Sequence, residues 1–139
     1  MIESSMTNNL YDDPRKLSAL IARVSNLASQ HAVSSTIVGM AAEEGDLAFP
    51  DYIEYLRSAL RVEDGIFRMT RERAVVHLAD VSAEQAHLVL ERLASEFADQ
   101  FPSQTPPRFD LRIYQADPGQ DEVKVRDVLT EIFKPKTLH

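Results

Sequence analysis

Residues 60–78 read Leu-Arg-Val-Glu-Asp-Gly-Ile-Phe-Arg-Met-Thr-Arg-Glu-Arg-Ala-Val-Val-His-Leu. Asp64-Gly65 is a turn signal that follows the apolar spacing of a helix. The two runs after it, 65–69 and 74–78, are rich in apolar and β-branched residues and are separated by a short polar turn, which predicts a β-hairpin. Arg61 and Asp64 are three residues apart at the mouth of that hairpin.

The remainder of the chain supplies the other elements of a mixed fold. In chain order we predict a helix from Asp13-Pro14, a strand at 33–40, a helix at 51–60, the hairpin, a helix opened by the capping box Ser82–Gln85, a strand at 109–115 and a last helix from about Asp121. From the first strand onward the order is βαββαβ. That order is typical of an α+β, ferredoxin-like antiparallel sheet, here with an added N-terminal helix and an added C-terminal helix. We expect residues 1–11 to be a disordered lead-in and 12–139 to form a single domain.

The composition limits the classes of function. The chain has 139 residues, enough for one domain with a hydrophobic core. Its net charge of −7 argues against a protein that follows a nucleic-acid backbone, because such proteins need clustered Lys and Arg. No apolar run is long enough to cross a bilayer, and the N-terminus lacks a signal-peptide pattern, so we expect a cytoplasmic protein without membrane contact. The absence of cysteine and the scattered positions of the four histidines argue against a metal site.

The Arg61-x-x-Asp64 pair has two interpretations. A guanidinium fork can donate to O6 and N7 of guanine, and a carboxylate can accept from the N–H groups of its Watson–Crick edge. The alternative is an ion pair at a helix end beside an ordinary turn, which is the commoner meaning of an isolated Arg-x-x-Asp. The spacing alone leaves both interpretations open.

Around the hairpin the sequence resembles the GGDEF family, the diguanylate cyclases. Leu60, Arg61, Asp64 and Arg68 occupy the places of the family's Leu-Arg-x-x-Asp-x-x-x-Arg run, and its five signature positions fall on 70–74. Other positions that match the family are Gly45-Asp46 upstream and Ala86, Leu90, Glu91 and Arg92 downstream. The resemblance covers roughly 33–134 and implies the GGDEF fold, in a truncated form.

The departures from the family pattern bear on catalysis. Diguanylate cyclases need carboxylates for two metal ions and glycines that let the backbone approach the nucleoside triphosphate. Here Thr70 and Arg71 replace the two glycines, and the acidic pair is reduced to Glu72 beside Arg73. The segment that contributes to metal and guanine binding is shortened to 41–44. The resemblance thus implies a degenerate domain that is not an enzyme and carries no cofactor.

What is kept resembles the family's inhibitory product site, which holds cyclic di-GMP. Arg61, Asp64 and Arg92 fall in its three places, although Arg92 could equally form an i,i+4 pair with Glu96. Arg68 could line the same pocket or cover the sheet edge, and Arg71 at the turn could reach a second nucleotide. The resemblance implies a non-catalytic cyclic di-GMP receptor that signals to a protein partner such as a transcription regulator. In this the chain is similar to stand-alone cyanobacterial cyclic di-GMP receptors.

The alternative function is a ligand-free module, derived from a GGDEF domain, that docks another protein or forms a homodimer. An exposed Leu88 and a hydrophobic last helix would suit that function. RNA-recognition domains have the same order of elements, but they need aromatic residues on the central strands, which 74–78 does not offer. The negative charge also disfavours direct nucleic-acid binding.

Overall fold

The structure is a computed structural model that describes residues 12–31, 33–102, 107–118 and 122–133. It contains four helices and four strands within these ranges. In chain order they are α1 (Pro14–Gln30), β1 (Ser35–Ala42), α2 (Ala48–Ala59), β2 (Gly65–Thr70), β3 (Arg73–Ala79), α3 (Ala83–Gln100), β4 (Phe109–Ala116) and α4 (Val125–Ile132). The predicted lead-in, 1–11, lies outside the described residues. No helix within the described ranges is long and apolar enough to cross a membrane.

The four strands form one antiparallel sheet in the order β2-β3-β1-β4. Val38 at the middle of β1 faces Val76 on β3 and Ile113 on β4. The predicted ferredoxin-like βαββαβ arrangement, an α+β fold, is confirmed. The hairpin strands extend one residue beyond the prediction at their turn and at the end of β3, within the usual uncertainty of strand boundaries.

The helices cover both faces of the sheet, two on each. Side chains on a strand alternate between faces, so Val38 and Val76 lie in the core with α2 and α3, whereas Ile37 and Val75 lie in a second core with α1 and α4. The two helices that flank the βαββαβ unit therefore form the third layer of an α/β/α sandwich. Because Val128 and Ile132 of the last helix are buried in that layer, its apolar face is not available to a partner as the interaction-module prediction assumed.

Capping side chains account for the starts of α1, α2 and α3. The Asp13 carboxylate accepts from the Arg15 backbone N–H, and the Ser82–Gln85 capping box is present in full, as predicted. The prediction for α2 is wrong by three residues. The Asp46 carboxylate accepts from the backbone N–H groups of Ala48 and Phe49, so the helix begins at Ala48 and Pro50 lies in its first turn, where no N–H is needed.

Two further boundaries differ from the sequence prediction. The first strand begins at Ser35 instead of Val33, because the Val33 N–H bonds back to the Leu27 carbonyl at the end of α1. The last helix begins at Val125, and the described residues 122–124 before it are not helical. Asp121, where that helix was expected to begin, lies outside the described residues.

Candidate ligand site

The Arg-x-x-Asp segment forms a closed turn between α2 and β2. The Asp64 N–H donates to the Arg61 carbonyl at 3.0 Å, which closes the turn after α2 ends at Ala59. The turn brings the Asp64 carboxylate under the end of β3, where its side chain is only 2% exposed. A carboxylate so deeply buried is stable only when hydrogen bonds replace its water.

Four hydrogen bonds from the chain itself fill the acceptor positions of Asp64. Its Oδ1 accepts from Arg61 Nη2 at 3.0 Å and from the Ala79 N–H at 3.0 Å. Its Oδ2 accepts from the Arg61 Nε and the Arg61 backbone N–H, both at 3.1 Å. The helix-end ion pair that the sequence left open is thus present, and it is bidentate.

Arg61 also ties the turn to the sheet. Its Nη2 donates to the Ala79 carbonyl at 2.7 Å, and the hydrogen bond with Asp64 raises the pKa of Arg61 above its ordinary value. Its Nη1 lies 3.5 Å from Glu63 Oε2, and 49% of the Arg61 side chain is exposed. The guanidinium therefore presents its Nη1 edge to the surface while its other edge is occupied.

A cavity of about 230 Å³ opens beside this pair, between the end of α2 and the flank of α3. Arg61, Asp64 and Arg92 contribute the charged part of its lining. The rest is apolar and comes from Ala59, Leu60, Leu78, Val81, Val89 and Leu93. The structure therefore brings together the three residues that match the product site, on one face of the sheet.

Arg92 is the most accessible of the three. It lies on α3 with 65% of its side chain exposed, and its Nε is 3.6 Å from Glu96 Oε2. The predicted i,i+4 pair is thus present, but an exposed pair of this length contributes little stability. The guanidinium can leave Glu96 for a stronger anion at small cost.

The structure does not bring Arg68 or Arg71 to this cavity. Arg68 lies on the edge strand β2, where its Nη1 is 2.9 Å from Glu54 Oε2 of α2. Arg71 lies in the turn between β2 and β3, at the far end of β2 from Asp64, and six strand residues span roughly 20 Å. Arg71 Nε is 3.9 Å from Glu72 Oε2.

The five positions that match the GGDEF signature, 70–74, span the β2–β3 turn and the strand ends on either side of it. Glu72 Oε2 accepts from the Gly45 N–H at 3.4 Å, which joins this turn to the loop after β1. The Arg73 guanidinium lies 5.2 Å above the Phe133 ring, on the side of the sheet that carries α4. Within the described ranges, no three His, Asp or Glu side chains gather in a way that could hold a metal ion.

Two parts of this region were not predicted from the sequence. One is the Ala79 main chain, which both donates to Asp64 and accepts from Arg61. The other is His77, which is 1% exposed on the opposite face of β3 and whose pKa is lowered by burial to about 4, with the Asp64 charge acting against that shift. An alanine at a strand end carries no sequence signal for such a role, because the role belongs to its backbone.

No protein-family model matches the sequence, and no curated protein matches it. Among solved structures, PelD (158-CT) from Pseudomonas aeruginosa PAO1 is similar, with a TM-score of 0.64 and 20% identity over 88% of this chain. The chain spans 45% of the length of that PelD structure. A DGC protein from Thermotoga maritima is similar with a TM-score of 0.62 and 14% identity, over 92% of this chain and 96% of that one. These likenesses show a GGDEF-like fold.

Proposed function

We propose that this chain is a non-catalytic cyclic di-GMP receptor that passes its ligand-bound state to a protein partner. The observation that carries the proposal is the convergence of Arg61, Asp64 and Arg92 on one cavity with apolar walls. The GGDEF-like fold supports the class of ligand, because the matching site of that family holds cyclic di-GMP. Arg61 and Arg92 bring two guanidinium groups to this cavity, and each can bind an anion in place of the carboxylates with which it now pairs.

The size of the cavity suits one base of the dinucleotide. Pockets that enclose a drug-sized ligand usually measure about 300–1,000 Å³, and this one measures about 230 Å³. Leu60, Leu78 and Val89 supply apolar contacts for the faces of a purine. The second base and the phosphates of cyclic di-GMP would then lie over the rim, where Arg92 is exposed and can bind phosphate or stack on a base.

Ligand binding requires an exchange of hydrogen bonds. Both oxygens of Asp64 are occupied within the chain, so guanine can reach this carboxylate only if the Arg61 guanidinium turns away from it. Arg61 would then donate to O6 and N7, while Asp64 accepts from the guanine N–H groups and keeps the Ala79 N–H. Each new charge-assisted bond contributes about 1.5–3 kcal/mol, offset by the intramolecular bond it replaces.

The same exchange provides a route for signalling. Arg61 joins the end of α2 to the Ala79 carbonyl at the end of β3. Release of that bond changes the surface at the α2–β2 turn, which a partner protein can recognise. A partner could thus tell the bound state from the free state by the shape of the α2–β2 turn.

The lack of cyclase activity is part of the proposal. Thr70 and Arg71 stand where the family has glycines, so a backbone approach to a triphosphate meets two side chains. Glu72, the remaining signature acid, already accepts a hydrogen bond from the Gly45 N–H, and Arg73 beside it would repel a metal cation. We therefore expect no conversion of GTP by the purified protein with Mg²⁺ or Mn²⁺.

Calorimetric titration with cyclic di-GMP tests the proposal. Wild type should bind at micromolar concentrations, and Arg92→Ala should bind about ten- to a hundredfold more weakly because one charge-assisted contact is lost. Arg126→Ala is the matched control: Arg126 is an exposed arginine on α4, on the opposite face of the sheet, and its loss should leave binding unchanged.

Cyclic di-AMP should bind at least about tenfold more weakly, because adenine offers an amino group where Arg61 needs an acceptor. The absence of binding heat from wild type would refute the receptor function.

A ligand-free interaction module is the second candidate, and one observation favours it. Arg61 and Asp64 satisfy each other without a ligand, as a purely structural pair would. Leu88 on α3 is 61% exposed and could contact a partner. The same titration separates the two functions, since this module predicts no heat with either dinucleotide.

A further inference from the structure

The two edges of the sheet differ in whether another strand can add to them. At the β2 edge, the Asp12 N–H donates to the Arg68 carbonyl and the Asp12 carboxylate accepts from the Arg68 N–H, both at 2.8 Å. A register shift between Arg68 and Thr70 further disturbs this edge. Occupied backbone groups and bulges are the usual means by which proteins prevent pairing at an edge strand.

The β4 edge has no register shift against its neighbour β1. Its eight residues pair with β1 in unbroken register, from Phe109 opposite Ala42 to Ala116 opposite Ser35. In the part of the chain that the structure describes, no strand pairs with its other side. A long and regular edge strand is a template for another strand.

On β4, one face carries an acidic and a basic side chain and the other face carries apolar side chains, so two antiparallel copies of the strand can pair like with like on the apolar face and opposite charges on the other. Asp110 and Arg112 lie on the face that carries α1 and α4, because the neighbouring Tyr114 packs in that core. Phe109, Leu111 and Ile113 lie on the other face. Arg112 is half-buried, and it forms no ion pair with any residue that the structure describes.

We propose that two copies of this chain pair through β4, antiparallel, about a twofold axis at Leu111. In this register Asp110 faces the partner's Arg112, and the symmetry repeats the pair in the opposite direction. On the other face Phe109 lies opposite the partner's Ile113. The result is a continuous eight-stranded sheet. This proposal is independent of the cyclic di-GMP site.

The charges select this register from the others that symmetry allows. When two copies of β4 pair antiparallel about a twofold axis, side chains that lie opposite each other must be on the same face of the sheet. The axis therefore passes between the two copies of one residue of β4. An axis at Asp110 or at Arg112 would put two like charges opposite each other, which is destabilising. An axis at Ile113 would place Arg112 opposite Tyr114. Only the axis at Leu111 pairs both charged residues with opposite charges.

The flank of β4 also has room for a neighbouring strand. A groove of about 540 Å³ runs between α3 and β4, lined by His87, Glu91, Phe109 and Leu111 among others. The apolar side chains of an added strand on this face, the partner's Phe109 and the partner's Ile113, would enter the open side of this groove. Helix α3 therefore does not close the edge.

Sedimentation equilibrium with two charge variants tests the proposal. Wild type should be a dimer, and Arg112→Glu and Asp110→Arg should each weaken dimerisation by about tenfold or more, because each places like charges opposite one another. An equimolar mixture of the two variants should form a heterodimer, since every acidic side chain at 110 or 112 then faces an arginine. That recovery also shows that both variants fold. Arg126→Glu, on the exposed side of α4, should leave the dimer unchanged.

Three results would overturn this proposal. The first is a wild-type protein that stays monomeric up to its highest soluble concentration. The second is a dimer that neither charge variant weakens, which would place the interface elsewhere. The third is a mixture of the two variants that shows no heterodimer, which would mean that the charges at 110 and 112 do not face each other.

Discussion

The Asp64 carboxylate accepts four hydrogen bonds within the candidate site. It is almost fully buried, and it accepts from Arg61 and from the Ala79 main chain. It therefore joins the turn after α2 to the end of β3. In the proposed function, this one carboxylate combines a role in stability with a role in ligand binding.

Asp64→Asn should lower the free energy of unfolding by about 1–3 kcal/mol. The neutral amide loses the ion pair with Arg61 and turns an N–H₂ group towards donors of the chain. Because half of the Arg61 side chain is in solvent, we expect a smaller loss than the roughly 3–5 kcal/mol that breaking a fully buried ion pair costs. Urea denaturation measures the change.

Glu63→Gln is the control for that variant. Glu63 also lies beside Arg61, at 3.5 Å, but 44% of its side chain is exposed. An exposed pair contributes little, so the change should stay within about 0.5 kcal/mol. Equal effects of the two substitutions would mean that the four hydrogen bonds of Asp64 do not stabilise the fold.

His77 predicts a dependence of stability on pH. Burial lowers the pKa of His77 to about 4 in the folded protein, whereas an unfolded chain has the ordinary value of about 6.5. Between these two values the unfolded state binds more protons, so stability falls as the pH falls from about 6.5 to about 4. At pH 5 the loss from this residue should reach about 2 kcal/mol.

The measurement compares wild type with His77→Leu, which cannot titrate. Denaturant unfolding at pH 7.5 and at pH 5.0 should show a larger loss of stability in wild type. The pKa values of the Asp12 and Asp13 carboxyl groups are lowered, so both groups titrate below pH 5 and do not contribute to this comparison. If both proteins lose the same stability between the two pH values, His77 does not carry the effect.

At the scale of elements, local signals predict more than long-range contacts do. The hairpin after Asp64-Gly65 and the capping box at Ser82 were predictable because each depends on residues close in sequence. The start of α2 had a local signal too, but the prediction relied on Pro50, whereas the Asp46 carboxylate supplies the cap. The use of α1 and α4 to cover the second face of the sheet depends on packing between distant segments, which periodicity cannot reveal.

The crossing of α4 over β1 depends on Gly39. A Cβ at this position would lie 2.7 Å from Ile132 Cβ and 2.8 Å from the Ile132 carbonyl oxygen, closer than van der Waals contact allows. Gly39→Ala should therefore push α4 away from the sheet and cost about 1–3 kcal/mol of unfolding free energy. Thr130→Ala, at an exposed position on the same helix, should change it by less than about 0.5 kcal/mol.

Thermal or urea unfolding of these two variants measures the difference. Because α4 and the candidate ligand site are on opposite faces of the sheet, Gly39→Ala should still bind cyclic di-GMP as wild type does. A Gly39→Ala protein as stable as wild type would show that α4 does not approach β1 this closely.

For the whole molecule, the sequence predicted three of the five proposed site residues in one place, but not how those three are bonded, and Arg68 and Arg71 lie away from the cavity. Arg61, Asp64 and Arg92 were expected together, and they line one cavity. The occupation of Asp64 by four internal hydrogen bonds could not be foreseen, since one donor is the backbone of Ala79 at the end of another strand. Arg68 lies against Glu54 of α2, a contact that only the packing of a helix on the edge strand determines.

The three-layer architecture separates the proposed activities of the molecule. The cavity lies on the α2/α3 face, the second core lies under α1 and α4, and the open β4 edge is at the opposite end of the strand order from β2. Ligand binding, folding stability and pairing of two copies can therefore be tested by substitutions that do not share contacts.

Methyl NMR during titration with cyclic di-GMP shows whether the cavity beside Arg61 and Asp64 is where the ligand binds. Binding there should cause saturable shifts of the Leu60, Leu78 and Val89 methyl groups, which line the cavity, and leave Val24 and Val128, in the core on the opposite face, unchanged. No shifts at saturating ligand, or shifts confined to Val24 and Val128, would contradict it.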